Sequence, residues 1–594
     1  MKTNVSRETI YHETEFCVVG GGLSGLCAAL AAARKGTKTI LIQERPMLGG
    51  NASSEIRMWV RGANGKNDKE SGIVSELDLE NIYKNPEMNF SIWDSVMYGV
   101  AMNEPNLTVM LNTTCIDAEA EDNKVKTVTC WQMTTYTFHT IRADIFADCS
   151  GDSILAPLVG AKWTKGREAR HEYNESIARE KADLKTMGMS CLIQAREHDR
   201  KIDFIKPEWA HTYETDADLP NRGHDTLRET GVNFWWMELG GEDDSIKDTE
   251  NLREELLKIA FGVWDHIKNH GDHGADNWEL EWVGFLPGKR ESRRYIGAHV
   301  LTQNDIEAEG RFEDIIAYGG WTMDDHHPGG FRYEGEPTKF NPAPSPYGIP
   351  FRSTYSVNIK NLMFAGRNIS ATHMAISSTR VMATCAIIGQ AVGNGAYLCC
   401  KYRCTPDEVY KEHLAELQQE IMNDGCYLPW KSRKIPECTL NARCNLSDED
   451  KALLFNGLER PDKNDSINYV SRETNSSIEF EFEKAVKGVV RLVLDIDYSR
   501  KSVSDDPQFR RYSMKCNAPV YTERIKMPKN LAKALKVTVK YTDGSEKVLY
   551  ETENNYKHLI FLPTDGEIVA MKAQFFGAWQ CETSNVFSFD LVER

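Results

Sequence analysis

Three glycines and one acid carry the first chemical signal. Residues Phe16 to Glu44 read FCVVGGGLSGLCAALAAARKGTKTILIQE. An apolar strand, Phe16 to Val19, breaks at Gly20, Gly22 and Gly25, with Ser24 between the last two. A helix rich in Ala and Leu then runs to about Lys35-Gly36, and a second apolar strand, Thr39 to Ile42, delivers Glu44. Gly20 suits a tight turn, Gly22 lets backbone approach a pyrophosphate, and Gly25 allows close helix packing. The helix N-terminus offers free N–H groups and a positive dipole end to phosphates. Glu44 is placed to accept hydrogen bonds from ribose hydroxyls. This order of parts predicts a dinucleotide site.

Proton chemistry has its own candidates. The segment WTMDDHHPGG, Trp321 to Gly330, sets His326 and His327 beside a turn, on an expected loop, with Asp324 or Asp325 able to orient an imidazole. The alternative is a turn with ordinary surface histidines. The segment RESRR carries Arg290 and Arg294 around Glu291. It suits either a bidentate clamp on an anion or a structural ion-pair cluster. Glu55, Arg57 and Trp59 alternate, so at least two of them are expected to face the site, and His373 is held in reserve. His266, His270 and His273 raise a metal test, because i, i+4 histidines share a helix face. Gly271 points instead to a helix end, where histidine complements the dipole, and no metal site is expected.

These residues need elements to hold them. Residues 1 to 160 alternate strand and helix, as a parallel sheet requires, and the fold is expected to start near Glu15. The strand Ala143 to Ala147 ends in small and polar residues, with Ser150, Gly151 and Asp152 at the edge where a ligand would lie. The strand Asn361 to Ala365 is followed by Gly366-Arg367-Asn368, and Ser377 to Thr379 is expected to cap a long apolar helix beginning near Arg380. The middle, 161–345, is irregular and holds eight of the thirteen tryptophans, Trp235 and Trp236 among them. Past about residue 440, short alternating runs and the turn Thr542-Asp543-Gly544-Ser545 predict a β-sandwich.

The spacing alone does not separate NAD from FAD. The loop Arg45 to Ser54 contains Gly49-Gly50-Asn51 and looks like the loop of the two-dinucleotide-motif flavoproteins. Four long blocks extend the likeness: GGNASSEIRMWVRGA, GKRESRR, GGWTMDDHHPGG and NLMFAGRNISATHMAISSTRVMATCAIIGQAVG. From about residue 15 to 430 the chain resembles FAD-dependent oxidoreductases with a glutathione-reductase-like flavin fold. The resemblance implies FAD held by Gly20, Gly22, Ser24, Gly25, Glu44, Arg45, Gly49, Gly50, Asn51, Ser150, Gly151, Asp152, Gly366, Arg367, Asn368 and Arg380. Many relatives place an acid after the late glycine to hold the ribityl chain; here that place is Arg367. Iron–sulfur relatives carry cysteine runs that this chain lacks, so no such cluster is expected. The end of the chain resembles galactose-binding-like, discoidin-type jelly rolls, with Tyr469, Trp579 and Phe587 as aromatics to inspect.

The expected architecture is α/β: a Rossmann-like FAD-binding domain (1–160 and 346–437), an inserted α+β substrate domain (161–345) and a C-terminal all-β sandwich (438–594). With 594 residues and 41% apolar content the chain can bury several cores. A net charge of −17 argues against nucleic acid and anionic membranes as partners. The polar first residues show no signal core, and scattered cysteines, odd in number, read as free thiols of a cytoplasmic protein. The expected activity is oxidation of a CH–OH group of a sugar or polyol by hydride transfer to flavin N5, with His326 or His327 taking the proton. The rivals are a reductase of an activated C=C bond, in which Arg290 and Arg294 clamp the substrate, and a carbohydrate-binding protein with a non-catalytic flavin. The substrate, electron acceptor and oligomeric state are open.

Overall fold

The computed structural model describes residues 7–222, 237–498, 516 and 526–592. Trp235 and Trp236 lie outside the described residues. The chain divides into two compact units: residues 1–63, 87–417 and 502–524 in one, and 64–86, 418–501 and 525–594 in the other.

The first unit is built on a seven-stranded sheet. Its strands are β1 (Thr9–Val19), β2 (Thr39–Ile42), β3 (Leu107–Met110), β4 (Thr113–Glu121), β5 (Lys124–Gln132), β6 (Thr137–Asp148) and a late strand described below. The order is β3-β2-β1-β6-β5-β4. β1 pairs in parallel with β2 and β6, so Val19 lies beside Ile42 and Asp148. Three strands therefore end together, and Gly20, Gln43 and Cys149 follow at one carboxyl edge, where α/β sheets bind ligands. β1 starts at Thr9, earlier than Glu15. Its polar first residues pair with Phe138 to Arg142, and a backbone ladder needs no apolar side chains.

Helix α1 (Leu23–Arg34) follows the glycine turn, and helix α2 (Thr249–Asn269) belongs to the middle of the chain. Small antiparallel pairs surround α2, and the middle has its own core, in which Met189, Leu256, Trp264 and Trp278 are buried. A hairpin of β7 (Met323–His326) and β8 (Thr338–Asn341) comes next, pairing His326 with Thr338. His326 thus ends a strand rather than lying on a loop. Strand β9 (Leu362–Phe364) then adds to β6 in parallel and completes the sheet.

The late helix differs from its expected form. There are two helices, α3 (His373–Thr379) and α4 (Met382–Tyr402), bent by 94°. Thr372 caps α3 by accepting from Ala375 N, so Ser377 to Thr379 lie inside α3 rather than capping α4. Val381 is the N-cap of α4 and gives no side-chain cap. Arg380 sits at the bend. α4 crosses α1 so closely that a Cβ on Gly389 would fall 2.0 Å from the Ser24 carbonyl oxygen, and one on Gly393 2.2 Å from that of Ala28. Such contact accounts for the small residues of both helices. No single helix among the described residues is long and apolar enough to cross a membrane.

The second unit contains two antiparallel sheets, of five and four strands. One includes Ser476–Val486, Ile568–Ala578, Ala532–Tyr541 and Glu546–Thr552, and the other Ser584–Val592 and Val489–Leu494. The predicted turn joins 532–541 to 546–552, with Gly544 at φ +86°. Inward residues alternate, as with Ile478, Phe480, Val537 and Val539. Phe587 is buried with Tyr469 against it, and Trp579 donates to the Asn555 carbonyl, so these aromatics serve packing.

Candidate active site

A cavity of about 580 Å³ opens at the carboxyl edge of the seven-stranded sheet. The glycine turn forms one wall. Gly20 has φ +106°, and a Cβ there would meet Cys149 backbone at 2.5 Å, so only glycine fits. Gly25 faces the helix side, where a Cβ would fall 1.8 Å from the Gly20 carbonyl oxygen. Gly22, the N-cap of α1, makes no side-chain cap, and a Cβ there would meet nothing nearer than Gly50 Cα at 4.0 Å. Its surface and the first N–H groups of α1 are open to a ligand.

Almost every expected cofactor residue lines this cavity: Gly20, Gly22, Ser24, Glu44, Arg45, Gly49, Gly50, Asn51, Ser150, Gly151, Asp152, Gly366, Arg367 and Arg380. Two do not. Gly25 acts through packing. Asn368 turns inward and donates to the Asp148 carbonyl at 3.2 Å. Of the alternating trio only Trp59 lines the cavity; Ile56 and Met58 take the places expected for Glu55 and Arg57. Arg57 instead lies over the Trp282 ring and donates to Gln194.

Asp148, missed in the sequence, organises the edge. It is fully buried and accepts from Ser150 N and Oγ, Leu155 N and Tyr295 Oη, the last at 2.6 Å. This network shapes the turn carrying Ser150, Gly151 and Asp152.

The opposite end of the cavity holds the proton chemistry. β7 alternates, so Asp324 and His326 face the cavity while Asp325 faces away. His326 Nδ1 is 2.9 Å from Glu238 Oε2, and Nε2 is 3.2 Å from Asp324 Oδ2. Arg290 donates to Glu238 at 2.7 Å, and Arg380 to the Asp324 carbonyl at 3.0 Å. Burial would raise both carboxyls, but Arg290 and His326 hold Glu238 low, and His326 and Arg380 hold Asp324 low. Glu238, 88 residues from His326 in sequence, gave no sequence signal.

The other candidates lie elsewhere. His327 stacks on Tyr333 with ring centroids 3.6 Å apart and accepts from Gly329 N, so it shapes the turn. Arg294 is wholly buried between Glu168 and Glu291, which is the structural ion-pair reading. His373 is enclosed by Glu291 at 2.9 Å and Asp325 at 3.0 Å, beside a separate cavity of about 170 Å³. His270 turns to Asp265, whereas His266 and His273 converge on Asp216.

The cavity wall suits an anionic dinucleotide. Arg45 Nη1, Arg367 Nε and Arg380 Nε are buried donors with no hydrogen-bond partner in the protein. With the open Gly22 face and the uncapped α1 N-terminus, they offer what a pyrophosphate and an electron-rich ring system need.

Fold and cavity together define a protein of the dinucleotide-binding class. The model of the family described as FAD dependent oxidoreductase matches residues 15–421, and the chain belongs to that family. Its cofactor is FAD. No curated protein matches the chain. Solved structures with some likeness include a geranylgeranyl bacteriochlorophyll reductase-like protein from Thermoplasma acidophilum, with 12% identity, 70% of this chain and 86% of that chain covered, and TM-score 0.33. Another is p-nitrophenol 4-monooxygenase from Pseudomonas putida, with 12% identity, coverage of 70% and 89%, and TM-score 0.30. A family 32 carbohydrate-binding module from Streptococcus pneumoniae shares 13% identity, covers 26% of this chain and 93% of its own, and has TM-score 0.18. Scores this low carry no argument about activity.

Proposed function

We propose that this FAD-dependent oxidoreductase oxidises a CH–OH group of a sugar or related polyol, and that His326 with its two carboxylates manages the hydroxyl proton. The observation that carries the reading is His326 in the cavity wall between Glu238 and Asp324. Bound FAD supplies hydride acceptance at N5. The chain must supply orientation and a place for one proton. Both ring nitrogens face carboxylate oxygens. In the neutral ring Nδ1–H donates to Glu238 and Nε2 takes the hydroxyl proton, after which the two carboxylates flank the imidazolium. Arg290 and Arg380 balance the carboxylates and favour an oxyanion at the reacting carbon. Trp321 and Phe340 line the same cavity among Asp324, Thr338 and Arg290. Aromatic faces beside hydrogen-bonding groups suit a sugar ring, whose C–H faces are apolar.

One observation favours a second reading. The same imidazole, once it holds both hydrogens between its two carboxylates, is placed to donate, as a reductase of an activated C=C bond requires. Anaerobic mixing with a panel of alditols and sugars, following loss of flavin colour, tests the first reading. Bleaching by a polyol, slowed in His326→Gln, supports it. No bleaching by any polyol, with reoxidation of the reduced enzyme by an activated alkene, would replace it with the second.

A further inference from the structure

We propose that Asp216, His266 and His273 form a binding site for a divalent transition cation of the zinc type, separate from the flavin cavity and independent of the reading above. The ligand-capable atoms of the three residues lie within 4.8 Å of one another. His266 Nε2 is 3.1 Å from Asp216 Oδ1, and His273 Nε2 is 3.5 Å from the same oxygen. Nitrogen and oxygen ligands on a tetrahedral zinc, each about 2.0–2.1 Å from the metal, stand about 3.3 Å from each other. Two of the edges, at 3.1 and 3.5 Å, lie close to that length.

The hydrogen bonds around His266 point the same way. Its Nδ1 lies 2.9 Å from the Tyr213 carbonyl oxygen, which can only accept, so Nδ1 carries a hydrogen. In the neutral ring Nε2 therefore presents a lone pair toward the Asp216 carboxylate. A proton or a metal ion between the two atoms joins them, and a metal ion also accounts for His273 Nε2 lying 3.5 Å from the same oxygen. A backbone carbonyl taking the second N–H is also the usual outer support of a metal-bound imidazole. His273 Nε2–H rests on the His270 carbonyl at 3.0 Å. Ligation moves that hydrogen to Nδ1 and turns Nε2 to the cation, with no change in the ring's charge.

The surroundings are favourable to positive charge. His266 lies in the last turn of the 21-residue helix α2, at the negative end of its dipole. Asp218 is close enough to feel His266, and Asp265 holds His270 at 3.2 Å. The chain reverses at Gly271, φ +91°, which returns His273 to His266. Asp216 is 75% exposed and His266 only 1%, so the site has a solvent-facing side where water completes the coordination. The cation would tie the segment around Tyr213 to Asp218 onto the end of α2.

The test uses the full chain, stripped with chelator and dialysed. Zn²⁺ affinity is measured by dye competition, Co²⁺ coordination by visible absorption, and thermal stability with and without Zn²⁺. The expected results are one Co²⁺ per chain with the intense bands of a tetrahedral site, and a melting temperature raised by Zn²⁺. Asp216→Ala and His273→Gln should each weaken Zn²⁺ binding more than tenfold and abolish the rise in melting temperature. Asp216 is exposed, so its replacement leaves the metal-free melting temperature close to that of the wild type. Equal Zn²⁺ affinity in wild type and both variants, or no Zn²⁺ effect on wild-type melting, would overturn the proposal.

Discussion

Arg367 Nη2 donates to Asp152 Oδ1 across 2.8 Å, joining the turn after β9 to the turn after β6. Lys289 and Ser292 also donate to Asp152. Burial alone would raise this carboxyl, but Arg367 and Lys289 hold it far below the usual range, so Asp152 stays a carboxylate between two cations. Asp152→Asn should weaken FAD retention about 10- to 100-fold, the scale of a lost charged hydrogen bond. Flavin fluorescence on titration reads this directly. An unchanged Kd would show that Asp152 supports only the wall.

Gly25 and Gly22 separate folding from binding. A methyl on Gly25 collides with the Gly20 carbonyl oxygen, so Gly25→Ala should lower stability by roughly 2–4 kcal/mol, as an overpacked core site does when backbone cannot yield. Gly22→Ala has room to fold, but its methyl occupies ligand space. It should melt near the wild-type temperature of the FAD-free chain while losing FAD affinity. Equal FAD affinity in Gly22→Ala and wild type would count against a pyrophosphate at this turn.

His326→Gln should retain FAD and slow turnover by about 10²- to 10⁴-fold, the range for loss of a general acid–base group. His327→Gln should change turnover little, because His327 packs on Tyr333 away from the cavity. Stopped-flow reduction of both variants distinguishes them. The reverse ranking would move the proton chemistry off Glu238, Asp324 and His326.

His373 gives a pH signature of stability. Burial opposes its charge, but Glu291 and Asp325 prevail and hold the imidazole up to about 10. An unfolded histidine titrates near about 6.5. Its stabilising effect is therefore complete below about pH 6.5 and is lost as pH rises through about 10, with a limiting slope of about 1.4 kcal/mol per pH unit. The Glu291 and Asp325 carboxyls are held low despite burial, so their contribution is present above about pH 4 and fades as the solution becomes more acidic. The stability of the wild type to urea should fall between about pH 6.5 and about 10, and His373→Gln should remove that slope. Parallel pH profiles for the two proteins would contradict this.

Local chemistry made much of the cofactor cavity legible in the sequence. Gly20 to Gly25, Glu44, Gly49 to Asn51 and Gly366 announce themselves because turns and close approach admit few other residues. The bent pair α3 and α4 was misread because Ser377 to Thr379 resemble a cap, while Thr372 does the capping. Glu238 and Asp148 were not legible, since their importance comes from partners distant in sequence. The same holds for Asp216. His266 and His270 have the spacing of a pair, but Gly271 reverses the chain and exchanges His270 for His273. Periodicity reports neighbours on one helix and is silent on what a turn brings back.

The central claim is that α1 and α4, in contact through Ser24 and Gly389, wall a single FAD site. Titrating the chain with FAD and measuring stoichiometry, with Gly389→Val beside wild type, tests it most directly. One FAD per wild-type chain, with visible flavin bands, and no FAD bound by Gly389→Val is the expected result. A wild-type chain that takes up no FAD, or a Gly389→Val chain that binds it as tightly, would contradict the account.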